Sequence, residues 1–94
     1  MTVRNRTADL LYQQMLVTTP VNVARTSAKI VNAIQQEPTA DQMLGIAAAL
    51  ICMLNKYDLN HVDVLGMADN YVYDGNMRPE FKAIKQFMGD EWWI

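Results

Sequence analysis

Ninety-four residues make one small domain, 51% hydrophobic and 19% charged, with a net charge of −2. That balance supplies apolar material for a core and excludes a disordered chain. The eight basic residues are scattered, with no dense patch to neutralise phosphates, so nucleic acid is not an expected partner.

A chain of this length buries only somewhat more than about 60% of the surface it exposes when unfolded, so its core is small. Cys52 is the only cysteine, which rules out an intrachain disulfide and a cysteine-based metal site, and fits a reducing cytoplasm. The opening MTVRNRTADL carries charges but no apolar signal segment. The longest apolar run, Ile46 to Leu54, falls well short of the roughly 18 residues of a membrane span. A protein without membrane or cofactor is expected.

Five helices are predicted. Residues 1–6 read as a flexible arm, and the first helix runs from about Thr7 to Val17, with Ala8, Leu11, Tyr12 and Met15 at spacings of three and four. Thr18-Thr19-Pro20 ends it, and Thr19 is placed to cap the next helix with Pro20 as its first residue, where the missing N–H costs nothing. The second helix, about Pro20 to Gln36, sets Val23, Ala24, Ser27, Ala28, Ile30, Val31 and Ile34 on one face. Pro38 stops it. Thr39-Ala40-Asp41-Gln42 then reads as a capping box in which the Thr39 hydroxyl and the Gln42 amide satisfy free N–H groups reciprocally.

The third helix, about Ala40 to Tyr57, is apolar or small on every side from Met43 to Leu54. Such a helix needs partners all round. Two arrangements provide them: complete burial among the other helices, or cover from a second copy of the chain. Leu44, Ala48, Ile51 and Cys52 are the candidate dimer interface, and Gly45, Ala47, Ala48 and Ala49 would let helices approach closely.

Asp58-Leu59-Asn60 breaks the chain, with Asn60 a good cap for a fourth helix from His61 to Val72. Tyr73-Asp74-Gly75-Asn76 reads as a turn. A fifth helix starts near Pro79, presents Phe81, Ile84, Phe87 and Met88, and should end at Gly89. The expected fold is all-α: a compact bundle of about five short helices around a central apolar helix, in a dimeric assembly.

The chain then closes on GDEWWI, residues 89–94. Burying two indoles offsets the entropy of ordering such a tail only if both rings find pockets, on the chain's own helices or on a partner. Trp92 and Trp93, with Tyr71 and Tyr73, are the candidate partner-binding residues.

Other chemistries fit poorly. Asp69 to Glu80 has the length of a calcium loop, but Tyr71 and Tyr73 stand where oxygen ligands belong and Gly75 is one place late. Asp58, His61 and Asp63 cluster in sequence, yet no second group converges on them to make a metal or catalytic site. A helix-turn-helix across Lys56 to Asn60 would put Asp63 and Asp69, and no Arg or Lys, on its recognition helix. Arg4 and Arg6 of two chains would still make a modest basic patch, which keeps a DNA-associated regulator as the alternative, ahead of an enzyme organised around His61.

The stretch MLGIAAALICMLNKYDLNHVDVLGMADNY, from Met43 to Tyr71, resembles a pattern of small bacteriophage-encoded helical proteins: an apolar helix, a Tyr-Asp-Leu break, and a second helix ending in Ala-Asp-Asn-Tyr. The resemblance implies a small accessory protein that acts by contact with a host or viral protein, and it assigns no site residue. The overall expectation is a non-enzymatic protein–protein interaction module.

Overall fold

Two of the five helices begin where the sequence places a side-chain acceptor for their first free N–H groups. A computed structural model describes residues 6–91, so the N-terminal arm and the Trp92-Trp93 pair lie outside the described residues. Its order is α1 (Arg6–Val17), α2 (Pro20–Ile34), α3 (Thr39–Tyr57), α4 (His61–Val72), a two-stranded hairpin of β1 (Tyr73–Asp74) and β2 (Asn76–Met77), and α5 (Pro79–Glu91). The Thr19 Oγ1 accepts from the Asn22 N–H at 3.1 Å to start α2. The Asn60 Oδ1 accepts from the N–H groups of Val62 at 2.8 Å and Asp63 at 3.3 Å to start α4. Both caps are where the sequence puts them.

The break after α3 closes its helix end. Asp58 sits in the left-handed region at φ 56, and the Leu59 N–H returns to the Leu54 carbonyl at 2.9 Å while that of Asp58 reaches Asn55 at 3.4 Å. This is a Schellman closure with Asp in the place glycine usually takes, tolerated because its short polar side chain crowds the backbone little. The expected turn at Tyr73 to Asn76 is present. It is tightened into a hairpin pairing Tyr73 with Met77 across Gly75, whose φ of 76 suits a residue without Cβ.

Two local expectations are corrected. The N-cap of α3 is Pro38, which brings no side-chain bond, and Thr39, expected as the cap, is already helical. Gln42 is buried, and its Nε2 donates to the carbonyls of Ile34 at 3.1 Å and Glu37 at 2.7 Å, closing the end of α2. The two N–H groups of the amide reach carbonyls at the end of the preceding helix, where intrahelical partners run out; the Ile34 carbonyl also accepts the Glu37 N–H at 3.0 Å. Gly89 does not end α5, which runs through it to Glu91; a glycine terminates a helix only where the chain turns left-handed, and Gly75 is the only described glycine at positive φ.

The larger correction concerns the centre. α2, not α3, is the helix that lies against two others, α4 and α5. In α3 only Gln42 and Leu54 are buried, while Met43, Leu44 and Met53 are 66%, 71% and 60% exposed. The chain's own helices cover one side of α3 and leave the rest bare. The core is thin in consequence: Ala8, Ala24, Leu54, Met67 and Phe81. With a radius of gyration of 14.8 Å and extents of 49 × 28 × 18 Å, the chain is a slab, more extended than the roughly 12 Å of a round domain of this length. Its accessible surface of 7454 Å² compares with about 5,500 Å² for an ordinary monomer of this mass.

Candidate interaction surface

Helix geometry sorts the residues of α3 into two apolar faces. At 100° per residue, Met43, Ala47, Leu50 and Leu54 form the side turned to α4, and Leu44, Ala48, Ile51 and Cys52 lie on the outer side. The first set borders a groove of about 410 Å³ that Ile46, Ile51, His61 and Leu65 complete. All four candidate dimer-interface residues are exposed, with Ile51 at 57% and the Cys52 thiol free. Val62 and Leu65 of α4 are exposed too, so apolar surface continues from one helix to the next.

A second apolar groove, of about 450 Å³, separates α2 from α5. Val21, Ala28, Val31, Ile84 and Phe87 line it, with Arg25 and Glu80 also at its walls. Its signal in the sequence was the pair of stripes on helices two and five. Ala24 and Ala83 line the groove as well, so that with Ala28 short side chains face the gap from both helices.

The candidate aromatic residues are used differently. Tyr71 is half-buried, and its hydroxyl lies 2.7 Å from the Met15 carbonyl and 2.9 Å from that of Thr18, where it donates its proton to the end of α1. Its hydroxyl is thus engaged within the chain. Tyr73 is 46% exposed on β1, beside Met77, Lys82, Lys85 and Gln86. Trp92 and Trp93 lie outside the described residues. Removing the Tyr71 hydroxyl should therefore act on folding and not on association: Tyr71→Phe is expected to lower stability by about 1 kcal/mol in urea denaturation and to leave the sedimentation profile unchanged. A loss of association with stability intact would assign Tyr71 to a partner.

Arg78 was not anticipated by the sequence reading. Its guanidinium lies 3.9 Å from the Asp74 carboxylate and donates to the Asn70 carbonyl at 3.4 Å, and its backbone N–H bonds that of Val72 at 2.8 Å. These contacts tie the hairpin to the end of α4 and set the angle at which α5 departs.

Polar chemistry does not gather anywhere comparable. His61 is exposed in the first turn of α4; Asp58 caps α3; Asp63 is exposed beside the Asn60 cap. Among the described residues no three of His, Cys, Asp and Glu converge as metal ligands, and no helix is long and apolar enough to cross a membrane. What the arrangement offers chemically is bare hydrocarbon on a rigid helix, a surface suited to burial by another protein. Comparison with protein families, with curated proteins and with solved structures gave no match for the chain.

Proposed function

We propose that this chain is a non-enzymatic protein–protein interaction module that self-associates through α3 and modulates another protein by contact, in the manner of a small phage accessory protein. One observation carries the reading: Met43, Leu44, Ile46, Ile51 and Met53 stand 42–71% exposed on a single helix. Scattered exposed leucines are ordinary, but a run on one element is the mark of a surface that another protein covers. A DNA-associated regulator is the second reading and draws on Arg4 and Arg6, which a dimer would bring together from two chains.

The test is sedimentation at tens of micromolar. The wild-type chain is expected to be a dimer. Ala48→Glu should be monomeric with its helix content kept, because Ala48 is exposed in the single chain and Glu is nearly as good a helix former as Ala. A monomeric wild type, or an Ala48→Glu variant that still dimerises, would overturn self-association through this face.

A further inference from the structure

The outer face of α3 has a charge pattern that selects one arrangement of two chains. Asp41, Gly45, Ala48, Cys52 and Lys56 follow one another at helical spacings of three and four, so they lie along one side, and all five are exposed. Asp41 stands in the first turn and Lys56 in the last, and no charged residue lies between them. The two charges are equally far from the midpoint between Ala48 and Ala49, about 11 Å along the axis at 1.5 Å per residue. Lys56 Nζ rests 5.4 Å from the centre of the Tyr57 ring and remains exposed.

From this pattern we propose that a second copy of the chain packs antiparallel on α3, crossing near Ala48 and Ala49, so that Asp41 of each copy meets Lys56 of the other. The inference rests on the self-association proposed above and gives it a geometry. Turned antiparallel, the face is complementary to itself: acid meets base at both ends and hydrocarbon meets hydrocarbon between. Turned parallel, it would set like charges together at both ends. A two-fold dimer requires this kind of self-complementarity.

Shape and area agree. Gly45 has no atom within 4 Å of the place its Cβ would occupy, so on this side the backbone is open to close approach by a neighbouring helix. Leu44, Ile51 and Met53, exposed on either flank of the small residues, would wrap the crossing. The accessible surface of 7454 Å² exceeds that of an ordinary monomer of this mass by roughly 1,900 Å², within the roughly 1,000–2,500 Å² that each chain of an obligate homodimer buries.

Charge reversal tests the geometry. Asp41→Lys and Lys56→Glu, each alone, turn two attractions into two repulsions and should weaken dimerisation roughly tenfold to thirtyfold. The double variant should recover wild-type affinity. Mixing the two single variants should give a heterodimer in which both ends are again complementary, read by sedimentation or by native mass spectrometry. Single variants that dimerise like wild type, or that weaken without recovery in the mixture and in the double variant, would overturn the antiparallel arrangement. If wild type dimerises all the same, self-association stands and only its geometry is lost; a monomeric wild type removes both.

Cross-linking gives a second reading that does not rely on charge reversal. In a Cys52→Ser background, Ala48→Cys places its thiols beside the two-fold axis and should form a disulfide between copies on mild oxidation. Asp41→Cys in the same background places them about 22 Å apart along the axis and should not. Efficient cross-linking through position 41, or none through position 48, would also overturn the proposal.

Discussion

Replacing Phe81 by Ala is expected to lower stability by about 3 to 5 kcal/mol. Phe81 is 7% exposed and is the largest side chain of a core whose other members are Ala8, Ala24, Leu54 and Met67. It stands in the first turn of α5, the helix that lies against α2, and its removal leaves a void in a core with few other large side chains. A chain of this length has on the order of 5 to 14 kcal/mol in total, so one aromatic ring accounts for a substantial part of it. Urea denaturation should show the midpoint falling with an unchanged slope, and Phe81→Leu should retain most of the stability because the volume is largely kept. A loss below about 1 kcal/mol for Phe81→Ala would mean that α5 is held by other contacts.

Gln42→Leu should cost about 2 to 4 kcal/mol, although it replaces a polar residue by an apolar one of similar size at a site only 6% exposed. Simple burial arithmetic predicts a gain. The hydrogen bonds decide otherwise: the amide donates to Ile34 and Glu37, and leucine would remove both bonds, leaving the Ile34 carbonyl with only the Glu37 N–H and the Glu37 carbonyl facing a side chain with nothing to give. Gln42→Glu should be worse, since it sets a carboxylate against two carbonyl oxygens. Gln36→Leu, at an exposed position nearby, is the control and should stay within about 0.5 kcal/mol of wild type. Equal effects at the two glutamines would show that Gln42 carries no special bond.

These two residues also mark how far the sequence could be read. The caps at Thr19 and Asn60 were legible because each acceptor and its donors lie within three residues, where spacing alone determines what meets. Gln42 was read only against Thr39, three residues behind it, whereas its amide N–H groups reach further back, to carbonyls five and eight positions away at the end of the preceding helix. The hydroxyl of Tyr71 bonds carbonyls more than fifty positions away, a relation that no local pattern encodes. Gly89 was taken for a stop since glycine usually ends helices, but nothing downstream demands the left-handed turn that would make it one.

The apolar helix shows the same limit at the level of the fold. That Met43 to Leu54 is apolar or small on every side was plain from composition, and in the structure most of those side chains are exposed. Where the cover comes from was not plain, because hydrophobic periodicity records how much surface a helix must bury and not whose surface meets it. The chain places α2 against α4 and α5 and leaves α3 to one side. Leu44, Ala48, Ile51 and Cys52, expected as a dimer interface, are all exposed in the single chain.

A body 18 Å deep has a further consequence. Helices with their side chains are about 10–12 Å across, so the slab is less than two helices thick and has little interior that it does not share with its outer faces. Hydrocarbon that a neighbouring molecule shelters is sheltered only as often as the two molecules meet, which couples folding to abundance by mass action. Were the chain to self-associate as proposed, its level of expression would be a structural variable: newly made copies at low number would spend more time open to proteases than the same copies once they have accumulated.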